Sequence, residues 1–309
     1  MKNCEVCAAG LSEIFTVKEM MLGFRDEFEY GICQSCSTIQ ILALPDAITD
    51  YYPPYYYSFT EVIPKIKPLP LMKRLVNDFR IKKRYRKNEN DQLKWLKPLG
   101  VRPSQKILDI GCGNGKLICE LFNIGFQKVQ GVDKFISKDI DYGHGVKVFQ
   151  KDLSELKKGH YDLLMMHHVF EHMSEPLEEL KKSHALLKKD GYLIVRIPVV
   201  GKAWEIYRDQ WIQLDAPRHF FIHTEESIAI LAEQSGFSIT DVIYDSSGFQ
   251  FWGSELYKRD ISFVEAETKA YRRAVDFFSE EVLAEYEHEA RRLNDSHQGD
   301  QAVFYLKKI

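Results

Sequence analysis

Residues 107–115 read Ile-Leu-Asp-Ile-Gly-Cys-Gly-Asn-Gly, an apolar run ending in three glycines at alternate positions. Nothing else in the chain restricts its fold as strongly. Glycine lets a backbone come close to a ligand, and the amides at a helix start favour a carboxylate or phosphate. Dinucleotide enzymes use Gly-x-Gly-x-x-Gly. Here the sixth position of that pattern is Lys116, so a nicotinamide cofactor fits poorly. Twenty-two residues beyond Gly111, Asp133 closes the apolar run Val129–Asp133, where a carboxylate can accept both hydroxyls of a ribose. Asp152 follows a third run and can accept from an adenine amino group.

Around these motifs short apolar runs alternate with helical segments. Strands are expected at 106–110, 128–132, 146–149, 161–166, 192–197, 237–244 and 301–307, with helices at 116–123, 176–188 and 224–235. Strand–helix alternation predicts an α/β fold with a doubly wound, mostly parallel seven-stranded sheet and right-handed crossovers. A charged helical stretch, about 250–298, interrupts the pattern before the last strand.

The first tenth of the chain holds Cys4, Cys7, Cys33 and Cys36, two Cys-x-x-Cys pairs 25 residues apart. In a reducing compartment such pairs read as metal ligands before disulfides, and four thiolates suit a closed tetrahedral zinc site that folds a ribbon module without catalysing. Residues 1–50 are assigned to this module, 51–102 to an aromatic linker with a basic helix, and 103–309 to the α/β domain. The linker opens Tyr-Tyr-Pro-Pro-Tyr-Tyr-Tyr, a stretch suited to a covering loop. Residues 65–87 follow with ten Lys or Arg against Asp78, on a helical pattern. The net charge of −3 decides nothing about nucleic acid. No apolar run reaches the ~18 residues of a membrane span, and no apolar segment follows Lys2 as in a secretory signal, so a cytoplasmic location is expected.

The Leu-Asp-x-Gly-x-Gly-x-Gly run, followed in order by Asp133 and Asp152, resembles the first motifs of the class I S-adenosylmethionine-dependent methyltransferases over about residues 103–245. The resemblance implies a Rossmann-like sheet and S-adenosyl-L-methionine as donor. Asp109, Gly111 and Gly113 would surround its methionine part, Asp133 its ribose and Asp152 its adenine, with His168 lining the pocket. It also implies an antiparallel last strand, the role of 301–307, normally reached by a connection shorter than the one here.

His168-Val-Phe-Glu-His172 and Trp211-Ile-Gln-Leu-Asp-Ala-Pro-Arg-His219 are similar to stretches of bacterial methyltransferases of surface-polysaccharide and modified-sugar biosynthesis. A related group, the deoxysugar C-methyltransferases, begins with a four-cysteine zinc module and an aromatic linker. The acceptor implied is a nucleotide-sugar or glycan precursor. His172 and His219 are then the candidate general bases, since imidazole titrates near 6.5, and Glu171 would bind or orient substrate. An RNA or small-molecule acceptor is the alternative enzyme. For RNA, the basic helix beside a zinc ribbon speaks in favour, while an Asn-Pro-Pro-Tyr-like motif is missing after the fourth strand. A donor-binding, non-catalytic partner protein is the alternative outside enzymes, and the helical insertion is suited to a lid or a homodimer surface.

Overall fold

The computed structural model describes residues 2–53, 63–70, 72–73, 76–87, 91–264 and 274–309. Its larger sheet is built from β4 (Lys106–Ile110), β5 (Lys128–Val132), β6 (Ile140–Asp141), β7 (Lys147–Phe149), β8 (Tyr161–His167), β9 (Leu187–Pro198), β11 (Phe237–Tyr244) and β12 (Gln301–Lys308), in the spatial order β11-β12-β9-β8-β4-β5-β7-β6. The pairs β4–β5, β4–β8, β5–β7 and β8–β9 are parallel. β12 runs antiparallel between β11 and β9, as expected of the last strand. The sheet has eight strands where seven were expected. The extra one, β6, is a two-residue pairing with β7 at the edge, too short to show in an apolar pattern.

Buried Ile107, Leu108, Val129, Leu164 and Val195 make the central strands apolar on both faces, as a sheet covered by helices on both sides requires. The covering helices include α2 (Lys116–Ile124), α3 (Pro176–Leu186) and α5 (Glu225–Ser235). The Thr224 side chain caps α5 by accepting from Ser227 N, and Gly236, at φ 83°, ends it.

A second sheet of four strands joins β1 (Leu11–Lys18), β2 (Glu27–Cys33) and β3 (Ile39–Ile41) to β10 (Phe221–Ile222), all antiparallel. Its last strand thus comes from a point nearly two hundred residues further along the chain. One core cluster joins this sheet, through Tyr30, Ile39 and Phe221, to the insertion, through Phe251, Leu256 and Leu293. The insertion's described α-helices are α6 (Phe249–Lys258) and α7 (Glu280–Asp295), and a short α4 (Lys202–Tyr207) precedes it.

The basic segment is helical only from about Met72, with α1 spanning Asn77–Lys87. A helix from residue 65 was expected, but Pro68 and Pro70 lack the amides a helix interior needs. Of the aromatic linker, Tyr51–Pro53 are described and 54–57 lie outside the described residues.

Candidate active site

The glycine bend joins β4 to α2 at the C-terminal edge of the parallel strands. Gly111, Gly113 and Gly115 have φ of 65°, 53° and 85°, a region costly for any residue with a Cβ. At Gly111 a Cβ would also meet Val169 Cγ2 at 2.4 Å. The bend therefore packs against the segment after β8. Asp133, just past β5, ties the bend down: one carboxylate oxygen accepts from Gly113 N at 2.9 Å and the other from Phe135 N at 2.8 Å. Asp109 is buried near the end of β4. Cys112 fits against Gly131, where a Cβ would lie 2.3 Å from its sulfur, and burial pushes its thiol well up. Packing accounts for this cysteine.

Asp152 lies three residues past β7 and caps a single 3-10 turn, accepting from Ser154 N at 2.9 Å and from its hydroxyl at 2.7 Å. Those bonds, with Lys182 nearby, hold its carboxyl below the usual range. All of them use Oδ1.

After β8 comes His168, at φ 53°, with Val169 and a 3-10 turn at Phe170–His172. Arg196 Nη1 donates to His168 Nε2 at 2.5 Å and its Nε donates to Asp245 at 2.8 Å. His168 Nδ1 therefore carries the proton that faces Glu171 Oε1 at 3.4 Å. The His168 side chain is spent on this chain of contacts, so only its backbone can line a donor pocket.

Glu171 is fully buried; Oε1 has only the long contact from the His168 N–H, and Oε2 has no hydrogen-bond partner among the described residues. Burial opposes its ionisation, yet the His168 N–H together with His172 and His219 offsets this and brings its pKa down to about 2. A buried carboxylate with one oxygen unbonded is costly. It is the arrangement expected of a group that waits for a hydroxyl or cation.

His172 and His219 flank it with ring centroids 4.8 Å apart. His172 Nδ1 donates to Arg218 O at 2.7 Å, and His219 Nδ1 to Gln213 O at 2.7 Å. With Nδ1–H held on a carbonyl, each imidazole in its neutral form leaves its Nε2 free to accept a proton. That of His219 lies 4.0 Å from Glu171 Oε1 and 3.7 Å from Asp215 Oδ2. Burial lowers the pKa of His172, against the opposing pull of Glu171, so the ring is neutral at pH 7. The Tyr52 hydroxyl sits 3.2 Å from His172 Nδ1, which puts the start of the aromatic linker over the cluster.

The backbone carrying these histidines is held from the N-terminal side. Arg218, fully buried, donates to Asp215 through Nε at 3.0 Å and to Glu19 Oε1 through Nη2 at 2.8 Å. The Tyr30 hydroxyl donates to His219 O at 2.9 Å. Phe220 N donates to Glu171 O at 2.8 Å, so the two histidine segments are also stitched together. Asp215 and Arg218 fall inside the Trp211–His219 stretch singled out above, and Tyr52 inside the aromatic run. Glu19, Tyr30 and Arg196 carried no signal: each is an isolated residue whose partner is distant in sequence.

Cys4, Cys7, Cys33 and Cys36 meet with all four sulfurs within 4.8 Å of one another. Cys7–Cys33 are 3.3 Å apart and Cys4–Cys36 3.7 Å. Zinc–sulfur bonds of ~2.3 Å in a tetrahedron separate sulfurs by about 3.8 Å, so the donor set fits such an ion. Val6 N donates to Cys4 Sγ and Ser35 N to Cys33 Sγ, both at 3.4 Å. The Thr224 hydroxyl donates to Cys36 O at 2.7 Å, linking this cluster to the cap of α5.

A parallel sheet whose strand ends carry a glycine bend and acidic residues in register defines a nucleoside-binding α/β domain. The chain belongs to the methyltransferase-domain family, whose model matches residues 78–242, and so carries a class I S-adenosylmethionine-dependent methyltransferase domain. A ribosomal protein L11 methyltransferase of Thermosipho africanus is 31% identical over 102 residues, 31% of this chain. The chain spans 38% of the length of that curated relative. Among solved structures, a phosphoethanolamine N-methyltransferase 2 of Haemonchus contortus with S-adenosylhomocysteine bound is 17% identical with a TM-score of 0.44, over 71% of this chain and 53% of that one. The 1,6-didemethyltoxoflavin-N1-methyltransferase of Burkholderia thailandensis is 15% identical with a TM-score of 0.41, over 78% and 92% of the two chains.

Proposed function

We propose that the protein transfers a methyl group from S-adenosyl-L-methionine to a hydroxyl or activated carbon of a sugar or glycan precursor. The observation that carries this reading is the contact between Gly111 and Val169. It sets the donor bend directly beside the turn that bears Glu171 and His172. The bound donor supplies an activated methyl group on a sulfonium, so the protein's task is positioning and, where needed, proton removal.

In this reading Asp109, Gly111 and Gly113 border the methionine part of the donor. Asp133 keeps lone pairs for a ribose beside its two backbone bonds, and Asp152 offers Oδ2 toward an adenine. The buried Glu171 carboxylate accepts a substrate hydroxyl at the oxygen that has no partner. One Nε2, of His172 or His219, takes the proton. The backbone carbonyls at Arg218 and Gln213 hold both rings in the base-competent tautomer. Two imidazoles and a carboxylate within reach of one another suit a polyol better than a flat aromatic acceptor. Zinc on Cys4, Cys7, Cys33 and Cys36 would serve folding, since four sulfurs leave no open coordination position.

The test is transfer of labelled methyl from the donor to a panel of nucleotide-sugars and lipid-linked sugars. Product on at least one sugar is expected. Turnover should fall by on the order of 10²–10⁴ in His172→Asn or His219→Asn, with donor affinity retained in calorimetry. Transfer to RNA or protein and to no sugar would overturn the acceptor assignment while leaving the donor site standing.

A further inference from the structure

The basic segment plays no part in the site described. Residues 65–87 hold ten Lys or Arg against Asp78, in a chain whose net charge is −3. Three side chains four residues apart, Asn77, Ile81 and Tyr85, fasten α1 to the domain. Asn77 donates to Gly125 O at 2.7 Å, and Tyr85 donates to Val101 O at 2.7 Å. The opposite face is not a plain solvated one. Met72, Val76 and Phe79 are 76%, 53% and 68% exposed. Val76, immediately before α1, and Phe79 on it lie three residues apart and form one apolar ridge, and Met72 is exposed in the segment that precedes them. Lys82, Lys83, Arg86 and Lys87 are exposed on the next turns. At 100° per residue, Lys83 and Arg86 continue the line of the ridge while Lys82 and Lys87 flank it.

We propose that this face docks on an anionic lipid bilayer surface. An apolar ridge that runs into a basic turn matches the two layers of such a surface, acyl boundary below and phosphate above. The charge is complementary, and it stands out against a chain that is slightly acidic as a whole. A single-stranded polyanion would use the same cations and gain nothing from Met72, Val76 and Phe79, which is why the bilayer is preferred to RNA. Among the described residues no helix is long and apolar enough to cross a membrane, so the contact would be peripheral.

Sedimentation of the 309-residue protein with phosphatidylcholine vesicles, with and without phosphatidylglycerol, tests this. Binding to the anionic vesicles on the order of tenfold tighter, and weaker as salt rises, is expected. Val76→Ser with Phe79→Ser, and separately Lys82→Glu with Lys83→Glu, should each lower that binding about tenfold, with thermal midpoint and donor affinity unchanged. Equal partition onto neutral and anionic vesicles would overturn the proposal. So would anionic-vesicle binding that the serine pair leaves intact and that heparin or single-stranded RNA matches, since the cations alone would then explain it. The readout needs no methyl transfer, so it stands or falls apart from the sugar assignment.

Discussion

In the proposed site, the buried Glu171 carboxylate concentrates the chemistry in a few atoms. Glu171→Gln keeps the volume but removes the charge that two imidazoles and the His168 N–H surround. Methyl transfer should fall at least tenfold, mainly through the acceptor's KM, while the donor's Kd holds; a changed donor Kd would detach Glu171 from the acceptor role. His172, whose pKa burial lowers, stays neutral to lower pH than a free imidazole. The acid limb of kcat against pH should therefore lie below 6.5, the ordinary value. Gly111→Ala meets both a positive φ and Val169, so it should abolish measurable donor binding and reduce thermal stability. Two histidines the mechanism does not use govern stability. His223 is buried and His167 half-buried with both ring nitrogens covered, and desolvation takes each pKa down to about 3. Unfolding in mild acid frees both rings to take up protons. Their contribution is complete above pH 6.5 and is lost as pH falls toward 3, by about 1.4 kcal/mol per pH unit for each ring. Asp300, raised to about 7 by burial, releases a proton on unfolding above its ordinary value and so partly cancels one of them. The urea midpoint should drop between pH 6.5 and 5, and His223→Gln should flatten that slope.

At the scale of elements, β10 is the informative piece. It belongs in sequence to the methyltransferase domain and in space to the sheet of the cysteine-rich module. His219 and Arg218 immediately precede it. Glu19 and Tyr30 reach across from that module to hold their backbone and side chain. Removing one partner of a buried ion pair costs about 3–5 kcal/mol. Glu19→Ala should therefore cut stability by that order. Glu19→Gln should preserve most of the fold yet lower kcat several-fold, because a neutral amide holds Arg218 less firmly; equal kcat in Glu19→Gln and the parent would refute the coupling. Metal removal addresses the same joint. A chelator should release one equivalent of zinc and loosen β1–β3, read as accelerated amide exchange in β3 and β10. Donor affinity, which the proposed site assigns to the glycine bend at β4, should change little. Zinc content of zero in active protein would remove the metal from the account.

Taken whole, the molecule divides its information unevenly. The alternation of apolar runs with helical segments, the glycines at 111, 113 and 115 and the acids at 133 and 152 are local properties. Backbone sterics and strand periodicity act over a few residues, so a single sequence suffices to announce a doubly wound sheet with a nucleoside-type edge. The two cysteine pairs and the histidine stretches were legible for the same reason, each being a short pattern of chemically distinctive side chains. What could not be read is how these pieces meet. β6 is two residues long and has no periodicity to detect. Lys82 and Phe79 look alike in a helical pattern whether their face is covered or bare; only the packing of Asn77, Ile81 and Tyr85 reveals which side is left to solvent. The pairing of β3 with β10, the Arg218–Glu19 contact across 199 positions and the alignment of three ring and carboxylate groups around one point join residues far apart in the chain. Such contacts form only when the whole chain has collapsed, because their closeness comes from loop closure and burial and not from any preference of the residues themselves. Sequence alone determined which chemistry the chain carries; tertiary structure decided which of those groups share a site.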